Sequence, residues 1–579
     1  MIKKRKKISG GQAAVQSLKK ENVKHVFGLI GSATMEMFDA LYHEKSIKFI
    51  GVRDERTGTH MADGYARASN KPGVILAGQN GPGATNLVTG IAQAKAAFSP
   101  LVAIAGSYST KDKMEDAFQG LDQQSLFTPI TKKTWTVKNS KIIPNVIGDA
   151  FKLAMKPRRG PVCINLPRNI LAETNNYNIN YNKTSFENES KIKSKKEKIK
   201  NAAKIIQGSK RSVIIVGAGI KYTSKHKEVI KLSEILNIPI VTAAGHGDAI
   251  PFNYKLNAGQ MGPRGNPVAS RLVKEADVIL AIGTRLGFNS TFYSYENINK
   301  EAKIIQIELE KKMLGKYFPI VLGINADAAT ATKQLFDEIR KQKFKLDVTN
   351  WTNSYLKERK RFLINRDKDN LGKNFPIQPK GLFKELRKVL PKNSAITLDA
   401  GTLCLQATDA LEYYDPPSLF TPLDFGLVGF SFACGLGVKV AKPKKTVVSL
   451  MGDGGFGMTI SELGTAVEYG INTTTIVMNN QSWGAEKAYQ KDYFGKRYLG
   501  ADIKSPSFDK AAELYGAKGF KVKKISEINE AVRAAMKCNK PSVIDVDVDP
   551  KALYSFRRDS FKHREKNEVR IKKICKICR

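Results

Sequence analysis

The chain is poor in several features that would each set a class. It has six cysteines in 579 residues, too few and too scattered for the disulfide framework of a small secreted protein. Cys163, Cys404 and Cys434 sit among apolar neighbours and read as small core side chains. Cys575 and Cys578 make a single C-x-x-C at the C-terminal end, half of what a zinc site needs. No apolar run approaches the roughly 20 residues of a membrane helix. The basic start, residues 1–7, is not followed by the apolar core of a secretory signal. A reducing, cytoplasmic compartment is expected. Acids are also scarce: 54 against 95 lysines and arginines, a net charge of +41. Such an excess raises nucleic acid as a partner, but the lysines are spread along the whole chain, as on a solvated surface. Neither nucleic acid nor membrane is an expected partner. Hydrophobic residues, at 42%, are present in ordinary amount, which excludes a disordered chain.

At about 100–200 residues per domain, the length predicts three or four domains, and the pattern supplies three: residues 1–185, 190–345 and 360–579. Strand-sized apolar runs lie at 26–29, 48–52, 74–77, 101–105 and 162–166 in the first, and at 212–216, 239–243, 277–282 and 303–307 in the second. The third has them at 395–398, 446–450, 474–478 and 542–546. Helical windows alternate with them throughout. This predicts an α/β fold of three doubly wound parallel-sheet domains that repeat one architecture. The charged stretches 187–210 and 340–380 read as linkers.

The most specific signal is Gly452-Asp453-Gly454 followed by Asn479-Asn480. A buried strand precedes the Gly-rich loop, a helix follows it, and the asparagines close the next strand. In such a βαβ unit Asp453 and Asn480 both emerge at carboxyl ends, where open α/β sheets bind ligands. Glycines and a helix N-terminus admit an anion, and a carboxylate with an amide oxygen suits Mg²⁺, which keeps phosphate oxygens as further ligands. The pattern is that of a metal-bound diphosphate. A second signal, Arg53-Asp54-Glu55-Arg56-Thr57-Gly58, places Glu55 between a strand and a helix. A third, Gly78-Gln79-Asn80-Gly81-Pro82-Gly83, is a turn from strand to helix.

Together these motifs resemble the acetohydroxyacid synthase and pyruvate oxidase family of thiamine diphosphate enzymes. The likeness covers residues 9–550 and matches the family order of pyrimidine-binding, middle and diphosphate-binding domains. It implies thiamine diphosphate and Mg²⁺ as cofactors, and a homodimer or homotetramer whose sites lie between subunits. By resemblance Glu55 activates the aminopyrimidine, while Asp453, Asn480 and the carbonyl of Ser482 hold the metal. Gly401, Thr402, Gly454 and Gly455 lie at the diphosphate. Gly426 and Val428 lie at the pyrimidine, with Val428 as the wedge that bends the cofactor. Gly81 belongs to the cofactor-facing edge beside Glu55, and Phe118, Gln119 and Lys132 fall at active-site positions. Some members bind FAD in the middle domain. Gly217-Ala218-Gly219 is a short piece of a nucleotide-type loop, and FAD stays open.

Within the family, Phe27-Gly28-Leu29-Ile30-Gly31-Ser32, Trp483-Gly484-Ala485-Glu486-Lys487, Arg497-Tyr498-Leu499-Gly500 and Phe556-Arg557-Arg558-Asp559 resemble the sulfoacetaldehyde acetyltransferase branch more than the acetolactate synthases. The implied reaction joins a small anionic oxo compound with phosphate. Pyruvate carboligation, or another 2-oxo acid lyase or decarboxylase, is the alternative. Three departures stand out. Asp54-Glu55-Arg56 replaces the usual His-Glu-Gln, Leu403 stands where acetolactate synthases usually have histidine, and Val428 is smaller than the usual methionine. Arg56 has two readings, a contact for an anionic substrate or an ion pair with Asp54 or Asp63. A basic nucleic-acid-binding protein built on a dead enzyme fold would need a degraded site, yet Glu55, Asp453 and Asn480 are all present.

Overall fold

The computed structural model describes residues 7–113, 116–181, 192–223, 225–263, 265–369, 375–402, 406–407 and 410–553. Leu403, Cys404, the run Phe556-Arg557-Arg558-Asp559 and the Cys575/Cys578 pair lie outside them. Three six-stranded parallel sheets form the frame. The first holds β1 (His25–Leu29), β2 (Lys48–Gly51), β3 (Gly73–Ala77), β4 (Leu101–Ser107), β5 (Thr134–Thr136) and β6 (Val162–Pro167). The second holds β7 (Ser212–Val216), β8 (Ile240–Thr242), β9 (Asn257–Gln260), β10 (Val278–Ile282), β11 (Lys303–Glu308) and β12 (Leu322–Asn325). The third holds β13 (Ala395–Leu398), β14 (Leu419–Phe420), β15 (Val447–Gly452), β16 (Thr474–Asn479), β17 (Lys518–Val522) and β18 (Ser542–Asp547). Central strands such as β4 and β16 are buried along their whole length, as expected where helices cover both faces.

The repetition is partial. The first sheet runs β2-β1-β3-β4-β6-β5 and the third β14-β13-β15-β16-β18-β17, one and the same order, whereas the middle sheet runs β9-β8-β7-β10-β11-β12. The expected linkers also contain helices. Lys196–Gln207 buries Ile199, Ala202, Ala203 and Ile206. α2, the 21-residue helix Thr349–Asp369, hides its apolar stripe among charges. Trp351 donates from Nε1 to the Ser212 carbonyl at 3.0 Å, Tyr355 is buried, and the Arg359 guanidinium lies over the Phe252 ring. These are four residues apart, one face of a helix.

The first and third domains are joined by α1 (Glu55–Ser69) and α3 (Ser431–Ala441). The contact needs glycine on both sides: a Cβ on Gly64 would stand 2.2 Å from the Cys434 carbonyl oxygen, and one on Gly437 1.8 Å from that of Met61. One hydrophobic cluster runs across the joint, from Ile50 and Met61 to Phe432, Phe456 and Phe508, while the middle domain has its own. Among the described residues no helix is long and apolar enough to cross a membrane.

Candidate active site

β15 and β16 are paired neighbours, with Gly452 opposite Met478, so Asp453 and Asn480 leave the sheet side by side. Asp453 opens α4 (Asp453–Gly457) and is buried. As the Asn480 amide stands, its oxygen lies 3.2 Å from Asp453 Oδ1 and 3.1 Å from the Ser482 carbonyl oxygen; turned over, its nitrogen would donate to both. The site can be satisfied in two ways, by the turned amide donating to both neighbours or by a cation seated among three oxygens. Their spacing is close to the roughly 2.9 Å octahedral edge that follows from Mg–O bonds of about 2.0–2.1 Å. The other Asp453 oxygen accepts from Ser505 Oγ at 2.6 Å. Burial raises the Asp453 carboxyl above its ordinary value, and a bound cation would reverse that. The donor set therefore fits a hard divalent ion.

A cavity of about 730 Å³ opens beside these oxygens, walled by Gly401, Thr402, Gly426, Val428 and Trp483 among others. A Cβ on Gly401, Gly426 or Gly452 would meet nothing within 4 Å, so these three positions leave the wall open to a ligand. Gly401 and Gly426 also have φ of 127° and 77°, a backbone that glycine alone adopts without strain. On Gly454 a Cβ would stand 2.6 Å from the Trp483 ring. The room left by the glycines and the oxygen set suit a metal-bound diphosphate.

Asp399, which sequence reasoning passed over, organises this wall. It follows β13, is buried, and accepts from the Gly429 and Phe430 amides at 2.9 Å each. A Cβ on Gly455 would come within 2.3 Å of its Oδ2. One carboxylate thus ties the Val428 loop to the α4 loop. Burial pushes it up to about 6, against the opposing pull of those amides. An acid at the carboxyl end of a parallel strand was the available signal. Ser505, far along the chain from Asp453, carried none.

The second cluster belongs to the first domain. Asp54 caps α1, accepting from the Arg56 amide at 2.7 Å, which sets Glu55 in the first turn. Glu55 is 3% exposed; it accepts from Asn86 Nδ2 at 3.0 Å, and burial raises its carboxyl above the ordinary value. Asn80 donates to the carbonyls of Phe118 and Gln119 at 3.2 and 3.0 Å, and Gln79 donates to the Gln119 amide oxygen. A Cβ on Gly81 would meet Gln119 at 2.9 Å. Gly81 thus lies beside Glu55 on one edge, as their motifs suggested, and Gln119, expected from the resemblance, packs against that edge. Lys132 does not join it: its ammonium donates to the carbonyls of Leu153 and Lys156 at 2.6 and 2.9 Å, capping the helix Ile143–Met155. Arg56 donates to the Met458 carbonyl at 3.0 Å and stands 3.8 Å from Asp54. Among the described residues, none of Glu55, Gly81 and Gln119 lines the cavity beside Asp453. One chain holds the two clusters apart.

Three family models match the chain: the thiamine pyrophosphate enzyme N-terminal TPP binding domain over residues 8–126, the central domain over 199–335, and the C-terminal TPP binding domain over 399–546. The chain belongs to the thiamine pyrophosphate enzymes, and it is a thiamine diphosphate-dependent enzyme. It is similar to the "Probable acetolactate synthase large subunit" of Methanocaldococcus jannaschii, 34% identical over 94% of this chain and 92% of that one. It is similar also to that of Methanococcus aeolicus, 33% identical over 95% and 93%, and to the "Sulfoacetaldehyde acetyltransferase" of Alcaligenes xylosoxydans xylosoxydans, 31% identical over 96% and 95%.

Proposed function

We propose that the enzyme is a Mg²⁺-dependent acyltransferase that converts sulfoacetaldehyde and phosphate to acetyl phosphate and sulfite. The observation that carries an anionic substrate is Arg159. It lines the cavity, and its guanidinium donates to the Asn70 amide oxygen rather than to a carboxylate. Burial lowers its pKa, which marks a cation short of negative charge. A sulfonate or phosphate supplies that charge in the bidentate form arginine favours. The full-length likeness to sulfoacetaldehyde acetyltransferases, at 30–31% identity, is matched by that to acetolactate synthases at 33–34%, so the branch rests on the run Trp483–Glu486 in the cavity wall.

In this reading Asp453, Asn480 and Ser482 hold Mg²⁺, and Gly401, Thr402, Gly454 and Gly455 face the diphosphate. Gly426 and Val428 bear on the pyrimidine. Thiamine diphosphate, when bound, supplies a nucleophilic thiazolium carbon that carries the two-carbon unit. Glu55, raised by burial, holds a proton against the pyrimidine ring nitrogen, and Gln119 orients the substrate on that side. The separation of the two clusters in one chain supports a homodimer or homotetramer in which Glu55 of one copy meets Asp453 of another. This reading needs no FAD: the Gly217 and Gly219 positions press on Gly283 and Thr284, with Cβ contacts of 2.7 and 2.8 Å, so close packing explains glycine there.

The test runs sulfoacetaldehyde with phosphate and pyruvate alone in parallel, following sulfite, acetyl phosphate and acetolactate. Sulfite release that stops without phosphate is expected. Acetolactate at higher kcat/KM, with no sulfite, moves the assignment to a carboligase.

A further inference from the structure

The turn that presents Glu55 is held by the third domain. α5 (Glu462–Glu468) lies against it, and its first residue, Glu462, is fully buried. Glu462 Oε1 accepts from the Arg53 amide at 2.9 Å and lies 2.5 Å from Thr57 Oγ1, whose hydroxyl is also within reach of the Asp54 carbonyl at 2.7 Å. Its Oε2 accepts from Thr465 Oγ1 at 2.7 Å. Thr465 Oγ1 also lies within hydrogen-bond distance of the Gly51 carbonyl, at 3.1 Å. Arg53 pairs with Glu468 at 2.5 Å, and Arg56 reaches the Met458 carbonyl at 3.0 Å. Donors and acceptors thus flank Glu55 on both sides, at residues 51, 53, 56 and 57, and their partners all come from residues 458–468.

A carboxylate with no exposure is expensive to hold unless its lone pairs are used. This one uses them on the turn before and after Glu55, not on a ligand. The amide of Arg53 has no strand partner of its own, since it follows the end of β2, so Glu462 fixes where α1 begins. We infer that Glu462 is a positioning residue for Glu55, setting the place and direction of that carboxyl through the Arg53 amide and the Thr57 hydroxyl. The inference rests on the proposed role of Glu55. It adds that the Glu55 of each chain is aimed by the segment following that chain's own Asp453.

The experiment compares Glu462→Ala, Glu462→Gln, Thr57→Val and Glu55→Gln in the full-length enzyme. Three quantities are read: thiamine diphosphate occupancy with Mg²⁺, backbone amide exchange at residues 51–57 without cofactor, and deuterium exchange at the thiazolium C2 with cofactor bound. Displacing a reacting group by about 1 Å costs on the order of a hundredfold. Glu462→Ala is therefore expected to keep its cofactor, to exchange the Arg53 amide at least about tenfold faster, and to slow C2 exchange by roughly tenfold to a hundredfold. Glu462→Gln, which keeps one acceptor, should recover most of the C2 rate. Thr57→Val, which removes one donor and keeps the shape, should show a smaller loss and keeps the test available if the alanine variant does not fold. C2 exchange within twofold of wild type in both Thr57→Val and any folded Glu462 variant, with Glu55→Gln strongly impaired, overturns the positioning role alone. Unimpaired exchange in Glu55→Gln overturns the reading beneath it.

Discussion

Asp399→Asn separates stability from function in a way that can be worked out beforehand. In the wild type, burial lifts this carboxyl from 3.8 to about 6. The folded value is the higher one, so the contribution to stability is fully present below the unfolded value, near pH 4, and is lost as pH rises through about 6. At roughly 1.4 kcal/mol per unit, the ionised group costs about 3 kcal/mol at neutral pH. Asparagine resembles the protonated acid in shape and in offering one acceptor and one donor, and it never ionises. Apoenzyme unfolding midpoints measured by calorimetry should therefore coincide near pH 4, and the variant should unfold at the higher temperature at pH 8. Comparing the two proteins at each pH cancels the titration of the other groups. The gain comes with a functional loss, because an amide oxygen cannot accept from both the Gly429 and Phe430 amides as the carboxylate does. The Val428 loop loosens and thiamine diphosphate binds more weakly, by about tenfold for one hydrogen bond to a charged group. A midpoint difference that stays constant from pH 4 to pH 8 refutes the account.

Asp453→Ala removes a charged oxygen from the metal set and should abolish Mg²⁺-dependent retention of thiamine diphosphate; full occupancy after gel filtration contradicts that assignment. Gly454→Ala drives a methyl group to 2.6 Å from the Trp483 ring, so cofactor affinity should fall and Trp483 fluorescence change, whereas an unaltered spectrum and affinity refute the contact. Glu55→Gln should keep its cofactor and lose roughly 10²–10⁴ in rate, checked by steady-state kinetics. Mixing Glu55→Gln and Asp453→Ala chains under conditions of subunit exchange should restore roughly a quarter of wild-type activity if sites form between copies; no recovery on demonstrated mixing places both residues in one chain's site.

Much of this site was legible because its parts obey local rules. Asp453 and Asn480 each follow a buried strand of one βαβ unit, so parallel pairing alone brings them together. Glu55 and Gly81 fall beside strand ends of one sheet in the same way, whereas Gln119, far from any strand end, was expected from the resemblance alone. Lys132 was misleading because a lysine's reach depends on what surrounds it, here the open carbonyls ending the helix Ile143–Met155. Arg56 likewise found a carbonyl on another domain. Asp399 offered only its place at the end of a strand, with partners 30 residues away, and Glu462 was harder still to see, since its partners lie about 400 residues away and nothing near it announces them. The helix Thr349–Asp369 was lost among its charges, because its described buried residues, Trp351, Thr352, Tyr355 and Arg359, include only two large apolar side chains in 21 positions and leave little periodic signal. The strand order of the middle sheet leaves no trace in a strand–helix alternation common to all three domains.

The shared core between α1 and α3 has a mechanical consequence. A continuous packed interior resists hinging, so the joint between the first and third domains is built to stay closed. The middle domain is attached differently. Its core is separate, and one of its fastenings to the third domain is a single buried clasp, Lys221 with Asp248 at 2.9 Å, whose carboxylate grips the Ser418 and Leu419 amides at 2.8 and 2.9 Å. Polar contacts such as these, with the Arg285–Asp424 pair at 3.1 Å, join it to the third domain in place of a shared apolar core. The large cavity lies along that seam, walled from the middle domain by Arg285 and Tyr293 and from the third by Gly426 and Trp483. Because the middle domain supplies part of that cavity's wall and the other two domains the rest, any displacement of it against them would change the cavity's width.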